Sequence, residues 1–425
     1  MKSGRAEERK SGRAEERKSA SQGSINVANQ TIFEGDNLDI MRGMNSESVN
    51  LIYLDPPFNS KTDYAAPIGS QAAGAEFKDT WSLSDVDVTW LDLLETKHPQ
   101  LNRVIQAAMT KSDKSYLIYM SVRLLEMKRL LTSTGCLYLH CDPTMSHYLK
   151  LILDAIFGRK NFLNEVIWHY RRWPSKQKNF QRMHDTIFRY AKGQDVVWNQ
   201  LFDAVSHETA KRIKGGKKIT TFFDEESGKK RIRPTEESSQ GVPMRDVWDI
   251  KQIVGPTRER LGYPTQKPFA LLERIIRASS NKGDVVLDPF CGCATTLAAA
   301  DALDRQWVGI DISGKAAELI VRRIEAQQGL FRNICHRTDL PKRTDLGPLP
   351  KYNCETNRKT LYGGQGGYCA GCKTHFETHH LEVDHIIAKQ SGGTDHLTNL
   401  QLLCGNCNRI KGDRGMAYLQ TKLRA

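Results

Sequence analysis

The sequence predicts an α/β chain: a doubly wound, mostly parallel sheet, followed by a small module clamped by a metal. Three observations predict it. Short apolar runs alternate with stretches of helical periodicity from about Ile25 to Gly329. Two of those runs end in an Asp-Pro turn, Asp55-Pro56 and Asp288-Pro289, and ligands collect where the strands of an open α/β sheet end. Near the C-terminus, Cys369-x-x-Cys372 and Cys404-x-x-Cys407 stand 31 residues apart, an arrangement suited to a metal rather than to disulfides.

Residues 3–10 (SGRAEERK) recur unchanged as residues 11–18. Mixed charge with almost no apolar side chain cannot bury a core, so residues 1–24 are expected to form a disordered basic tail. The main domain is expected over residues 25–330. Its central strand is the apolar run 49–54, stopped by Asp55-Pro56-Pro57. Residues 121–131 carry a helical period ended by Gly135, residues 136–140 read as a strand, and residues 148–157 as a helix closed by Gly158. Further strands are expected at 165–170, 186–190, 284–287 and 306–310. Residues 331–350, basic and proline-containing, suit a linker, leaving 351–425 for the second module.

A formal net charge of +13 favours polyanionic partners, nucleic acid above all; a basic protein that binds nothing anionic is the plain alternative. The period weakens between residues 171 and 262. There Arg171, Arg172, Lys176, Lys178 and Arg182 interleave with Trp168, Tyr170, Trp173 and Phe180. Further basic clusters follow at Lys211, Arg212, Lys214, Lys217 and Lys218, then at Lys229, Lys230, Arg231 and Arg233. Such side chains offset phosphate charge, and flat rings stack on bases; a solvated loop is the competing reading. No apolar run approaches the roughly 18 residues that span a membrane. The charged N-terminus lacks the apolar segment of a secretory signal, so a cytoplasmic location is expected.

The residues at the strand ends form a constellation. Asp55-Pro56-Pro57-Phe58 offers a carboxylate, a stiff loop and a ring. Residues 284–300 (DVVLDPFCGCATTLAAA) give an apolar strand, a small-residue turn that lets a ligand approach the backbone, and a helix N-terminus. Twenty-three residues after Asp288, the next apolar strand ends in Asp311, placed to bind ribose hydroxyls. Alone, this second half fits any nucleotide-type site.

Together these residues resemble the beta group of amino-directed DNA methyltransferases, in which the catalytic motif precedes the cofactor motif. Asp55–Phe58 matches the catalytic D-P-P-[YF] tetrapeptide, and Asp288-Pro289-Phe290-x-Gly292 the cofactor loop. Tyr263-Pro264-Thr265-Gln266-Lys267-Pro268 is similar to the segment beside the methionine end of the cofactor, and Gly35-Asp36 to a short motif on the cofactor side. The resemblance implies a Rossmann-like fold with permuted motif order. It implies S-adenosylmethionine as cofactor, held by Asp36, Thr265, Gln266, Lys267, Pro268, Asp288, Pro289, Phe290, Gly292 and Asp311. Double-stranded DNA is the implied partner, with residues 171–262 recognising the target. It makes Asp55, Pro56, Pro57 and Phe58 catalytic. An exocyclic amino nitrogen is a poor nucleophile because its lone pair is delocalised into the ring. A carboxylate and a carbonyl accepting its two N–H bonds favour the localised form and stabilise the positive charge that develops. The ring stacks on the extruded base. Aspartate at position 55 points to adenine N6, since cytosine-N4 relatives more often carry serine; cytosine N4 is the alternative. One departure stands out: Ala294 occupies a position where the family usually has glycine.

In the second module, two close Cys pairs suit a closed tetrahedral Zn2+ site at Cys369, Cys372, Cys404 and Cys407. Residues 361–414 resemble the HNH (ββα-metal) nucleases, through Asp384-His385, Asn399, the second Cys pair with Asn408, and Lys411. The resemblance implies His385 as general base, Asp384 and Asn408 as ligands of Mg2+ or Mn2+, and Asn399 as a loop brace. His379, His380 and His396 are expected on the surface. A zinc-stabilised recognition module that does not cleave is the alternative. A DNA-binding protein with both catalytic folds spent is the reading from another class. The recognition sequence and the oligomeric state, a homodimer included, stay open.

Overall fold

The computed structural model describes residues 25–60, 98–176, 178–203, 217–224, 229–238, 242–253, 259–263, 265–328, 334–391 and 393–424, with 64–65, 70, 76–77, 94 and 257. The octapeptide repeat, Lys211, Arg212, Lys214 and Pro264 lie outside them.

The chain enters through β1 (Thr31–Glu34), α1 (Asn37–Gly43) and β2 (Val49–Leu54). Helices α2 (Pro99–Gln106) and α3 (Lys111–Leu130) lead to β3 (Leu131–Cys141), α4 (Ser146–Phe157), β4 (Phe162–His169) and β5 (His184–Ala191). Then come β6 (Val247–Asp249), α5 (Phe269–Ser279), β7 (Val285–Asp288), α6 (Thr295–Ala302), β8 (Gln306–Asp311), α7 (Gly314–Gln328) and β9 (Cys335–Arg337). These nine strands form one sheet in the order β6-β4-β5-β3-β2-β7-β8-β1-β9. Every neighbouring pair is parallel except the two made by β5.

Burial on both faces explains the apolar runs. All six residues of β2 are buried, as a central strand covered on both sides requires. Successive side chains point to opposite faces. Ile52 and Leu54 pack with α1, α3 and α4, and Leu51 and Tyr53 with α5, α6 and α7. From the adjacent pair β2 and β7 the connections run in opposite directions, β2 towards β3 and β7 towards β8. That divergence is a topological switch point, which opens a crevice beyond the carboxyl ends of the two strands. Asp55 follows β2 and Asp288 ends β7, so both motifs border it.

Two sequence expectations change. Trp168 and Tyr170 are core residues, 2% and 0% exposed, because β4 lies in the interior of the sheet; they cannot stack on bases. The segment 331–350, expected as a linker, adds edge strand β9 beside β1. It is also tied down at 341–345. Asn26 Nδ2 donates to the Lys342 carbonyl at 2.7 Å, the Thr344 amide to Asn45 Oδ1 at 2.8 Å, and the Ser46 amide to Asp345 Oδ2 at 2.8 Å. The Pro341 carbonyl lies where any Cβ at position 43 would stand, so Gly43 is needed for that close approach.

Residues 217–224 and 229–238 form an antiparallel pair apart from the main sheet. The C-terminal module has its own small core. It contains α8 (Glu355–Gln365), β10 (Leu381–His385), β11 (Leu400–Cys404), α9 (Gly405–Lys411) and α10 (Gly415–Arg424). Strands β10 and β11 pair antiparallel, Leu381 opposite Cys404 and His385 opposite Leu400. Leu381, Val383, Leu402, Leu403 and Leu419 are buried between them and the helices. Among the described residues, no helix is long and apolar enough to cross a membrane.

Candidate active site and metal centre

Asp55 leaves the end of β2 with its two carboxylate oxygens in different situations. Oδ2 forms an ion pair with the ammonium of Lys267, whose side chain is largely buried. Oδ1 is buried and has no hydrogen-bond partner among the described residues. Buried polar atoms are seldom left unpaired, so such an atom calls for a ligand. Phe58 stacks on His140, the ring centroids 5.8 Å apart and the planes at 30°. The Lys267 ammonium is 5.4 Å from the same ring.

A buried polar relay supports Phe58 from below. His140 Nδ1 lies 2.9 Å from the Tyr53 hydroxyl and Nε2 lies 3.3 Å from Asp185 Oδ2. Tyr170 donates its hydroxyl to Asp185 Oδ1 at 3.0 Å. A carboxylate only accepts, so this pairing puts a proton on Nε2 of the imidazole. Burial acts to raise the Asp185 carboxyl, but hydrogen bonding and charge from His140, with Lys267 and Tyr170, bring it below its ordinary value.

The cofactor side is built around β7 and β8. Burial pushes the Asp288 carboxyl up to about 7, and the charges of Asp55 and Asp311 add to the rise. Its Oδ1 accepts the Phe290 amide at 3.1 Å. Asp311 is raised as well, again by burial. Its oxygens accept the amides of Gly292 at 2.8 Å and Ser313 at 2.9 Å, so Asp311 braces the loop that was expected to hold the cofactor. Asp36 caps α1 through the Leu38 amide and takes a two-pronged contact from Arg123, 2.9 Å to each oxygen. Arg123 Nε also donates to Asn37 Oδ1, and Asn37 Nδ2 donates to the Pro289 carbonyl. One guanidinium thus links Asp36 to the Asp288-Pro289 turn. The Tyr119 ring stands between Arg123, 3.4 Å from its centroid, and Phe290.

Ala294 has φ +58° and ψ +36° and is fully buried. That left-handed geometry explains the glycine usual there, since it costs an L residue roughly 1–2 kcal/mol. In the segment before α5, the expected residues separate. Lys267 reaches Asp55 and also donates to the Thr265 carbonyl at 3.2 Å. Gln266 closes its own loop, accepting from the Leu261 amide at 2.9 Å and donating to the Glu259 carbonyl at 2.6 Å. Thr265 adopts φ +61°, and Pro268 caps α5 without a side-chain bond. Pro56 and Pro57 form the loop itself.

In the C-terminal module the ligand atoms of Cys369, Cys372, Cys404 and Cys407 all lie within 4.8 Å of one another. Four sulfurs at about 2.3 Å from a common centre fit that spread, and the set is thiolate only, as structural zinc prefers. His385 and Asp384 end β10. His385 Nε2 lies 2.7 Å from Asp395 Oδ1, and Lys389 donates to the same carboxylate at 2.9 Å. Asp384 and Asn408 each engage another partner: Asp384 pairs with the buried Lys411 ammonium at 3.0 Å, and the Asn408 amide donates to Glu382. Asn399 does brace the loop, bonding the Ile387 amide and carbonyl and the Thr394 carbonyl. His379 and His380 are exposed, whereas His396 is half-buried. Arg123, Lys267 as the partner of Asp55, Asp395 and Lys411 were not assigned these roles from the sequence. Only the carboxylate or histidine they meet in space reveals them.

Residues 49–322 match the DNA methylase family of the N6/N4 type, and residues 369–414 match the HNH endonuclease family. The type II methyltransferase M.EcaI of Enterobacter cloacae is 30% identical over 381 residues, 76% of this chain and 75% of that protein. M.HpaI of Haemophilus parainfluenzae, also a type II methyltransferase, is 24% identical over 72% of this chain and 78% of its own length. The DNA adenine methyltransferase YhdJ of Escherichia coli is 27% identical over 70% of this chain and 83% of its own length. The permuted motif order, the two loops at the switch point and these matches agree: the chain belongs to the N6/N4 family of DNA methylases and carries an HNH endonuclease domain on its C-terminal side.

Proposed function

We propose that the chain methylates adenine N6 in double-stranded DNA, using S-adenosylmethionine, and that its HNH domain nicks DNA with a divalent cation. The observation that carries the first part is Asp55, with Oδ2 anchored by Lys267 and Oδ1 buried and unbonded. Oδ1 is the acceptor for one N–H of the amino group, and anchoring of Oδ2 fixes its direction before the base arrives. Such preorganisation stabilises charge where it develops without reorganising at the moment of reaction. Phe58, backed by His140, supplies the face against which the extruded base stacks. S-adenosylmethionine supplies an electrophilic methyl on a sulfonium. The crevice suits its positive charges, because burial and then the negative charges of Asp55 and Asp311 raise the Asp288 carboxyl, which a nearby cation would offset. Phe290, Gly292, Asp311, Asp36 and the segment from Thr265 to Pro268 would hold it. Aspartate at position 55 and the adenine specificity named for YhdJ support adenine over cytosine.

Zinc at the four cysteines would be structural, since protein fills every position. Mg2+ or Mn2+ would take Asp384 and Asn408, replacing the Lys411 ammonium on Asp384. With Asp395 on Nε2, the other ring nitrogen of His385 is left to take a proton from water. The same reading takes this work to be done in the cytoplasm.

One experiment addresses both parts. Plasmid DNA is incubated with the chain, S-adenosylmethionine and Mg2+ or Mn2+, then examined for nicks and hydrolysed to nucleosides. The expected products are N6-methyladenine and nicked circles. His385→Ala keeps the first and loses the second. N4-methylcytosine alone would overturn the adenine assignment. Intact circles with wild type, on both methylated and unmethylated plasmid, would make the HNH domain a recognition module.

A further inference from the structure

The loop between β4 and β5 carries two large rings that nothing in the described structure covers: Trp173 is 89% exposed and Phe180 104% exposed. Isolated exposed apolar side chains are ordinary. Here the two limbs of the loop are tied together, because the side chain of Gln181, next to Phe180, donates from Nε2 to the Trp173 carbonyl at 2.7 Å. No acidic residue occurs from 171 to 183, while Arg171, Arg172, Lys176 and Lys178 flank the rings and are exposed. A pair of bare rings in a purely basic setting fits a polyanion with stackable faces.

Topology puts this loop on the catalytic edge. β5 runs antiparallel to both β3 and β4, and β3 runs parallel to β2, so β4 points the same way as β2. The loop leaving β4 therefore rises from the edge of the sheet that carries Asp55. Its base is fixed. Arg182 pairs with Asp142 at 2.9 Å, and Tyr170, just before the loop, donates to Asp185. Asp185 meets His140, on which Phe58 of the catalytic tetrapeptide stacks. The loop is thus rigid where it joins the catalytic layer and bare at its tip.

We propose that Trp173 and Phe180 form a wedge that enters the DNA base stack beside the target and fills the space left when the base is extruded. The inference rests on the methyltransferase reading. Asp55 Oδ1 is buried, so a base inside a duplex cannot reach it and must leave its stack. Aromatic insertion restores part of the stacking that extrusion removes.

The test uses the full chain and two duplexes containing its recognition sequence, identified beforehand by sequencing of methylated DNA. In one the target is paired; in the other an abasic site lies opposite it, so extrusion costs little. The variants are Trp173→Ala, Phe180→Ala and the double substitution. Both side chains lie in solvent, so thermal stability and S-adenosylmethionine binding should match wild type. On the paired duplex the double variant is expected to lose about 10- to 100-fold in kcat/KM, the scale of one lost base–ring stack. On the abasic duplex it should return to within about threefold of wild type. Undiminished kcat/KM on the paired duplex would overturn the proposal. So would an equal loss on both, which would make the rings general DNA contacts. Wild type that methylates neither duplex would instead refute the activity on which the proposal rests.

Discussion

Asp55→Asn is expected to reduce methyl transfer by about 100-fold or more while cofactor binding survives, the scale for removing one preorganised electrostatic group. Asparagine keeps the shape of the side chain but has only one acceptor oxygen. Lys267, largely buried against it, claims that oxygen because a buried ammonium without a partner is costly. The amide nitrogen then turns to the position of Oδ1 and presents N–H bonds to the amino group of the base. Two donors face each other where an acceptor is required. Asp55→Ala tests the same carboxylate more severely, and it also leaves the Lys267 ammonium with only the Thr265 carbonyl and no opposite charge, so part of its defect would come from the fold. Single-turnover transfer from labelled S-adenosylmethionine measures the chemistry, and calorimetric titration measures the cofactor. Turnover near wild type in Asp55→Asn would remove Asp55 from the catalytic role.

The second large effect is expected from zinc. Chelation, or Cys372→Ser, should unfold the C-terminal module while the methylase sheet stays folded. The module has few buried side chains of its own, chiefly Leu381, Val383, Leu400, Leu402, Leu403 and Leu419. A domain of this size seldom gains enough from its core alone. Structural zinc contributes on the order of 10 kcal/mol or more to folding in comparable small domains. Cys404 ends β11 and Cys407 lies in the first turn of α9, so losing the metal releases both the hairpin and the helix that carries Asn408. Hydrogen exchange gives a domain-resolved reading. Amides of β10 and β11 should lose protection, those of β2 and β7 should keep it, and methyl transfer should continue. Unchanged protection in β10 and β11 after chelation would show that the four thiols do not hold the module.

What the sequence reveals of this fold depends on where each element gets its stability. β2 and β7 are central and buried on both faces, so their apolar runs announce them, and the loops that follow carry the motifs. β6 and β9 have three residues each and exist through pairing with β4 and β1, which no local period records. The reversal of β5 is invisible for the same reason: a buried strand reads alike in either direction. Trp168 and Tyr170 look like base-stacking rings beside Arg171 and Arg172, but the pleat of β4 turns them into the core. In the candidate site, Asp55, Phe58, Asp288 and the four cysteines could be singled out from the sequence because the chemistry proposed for them is local to short motifs. The pairing of Asp55 with Lys267 spans 212 residues, and the link from Arg123 to Asp36 spans 87. Only folding creates those contacts. Asp395 illustrates the limit within a single domain, since nothing in its neighbours marks it as the partner of His385.

The central claim is that this chain places a methyl on adenine N6 through the loop that follows β2. Single-molecule sequencing of genomic DNA measures it directly, in a host expressing wild type, a host expressing Asp55→Asn and a host with neither. Wild type is predicted to add N6-methyladenine at one defined sequence context, and the variant to leave that context as unmodified as in the host without the gene. Equal modification by wild type and variant, or N4-methylcytosine in place of N6-methyladenine, would contradict the account.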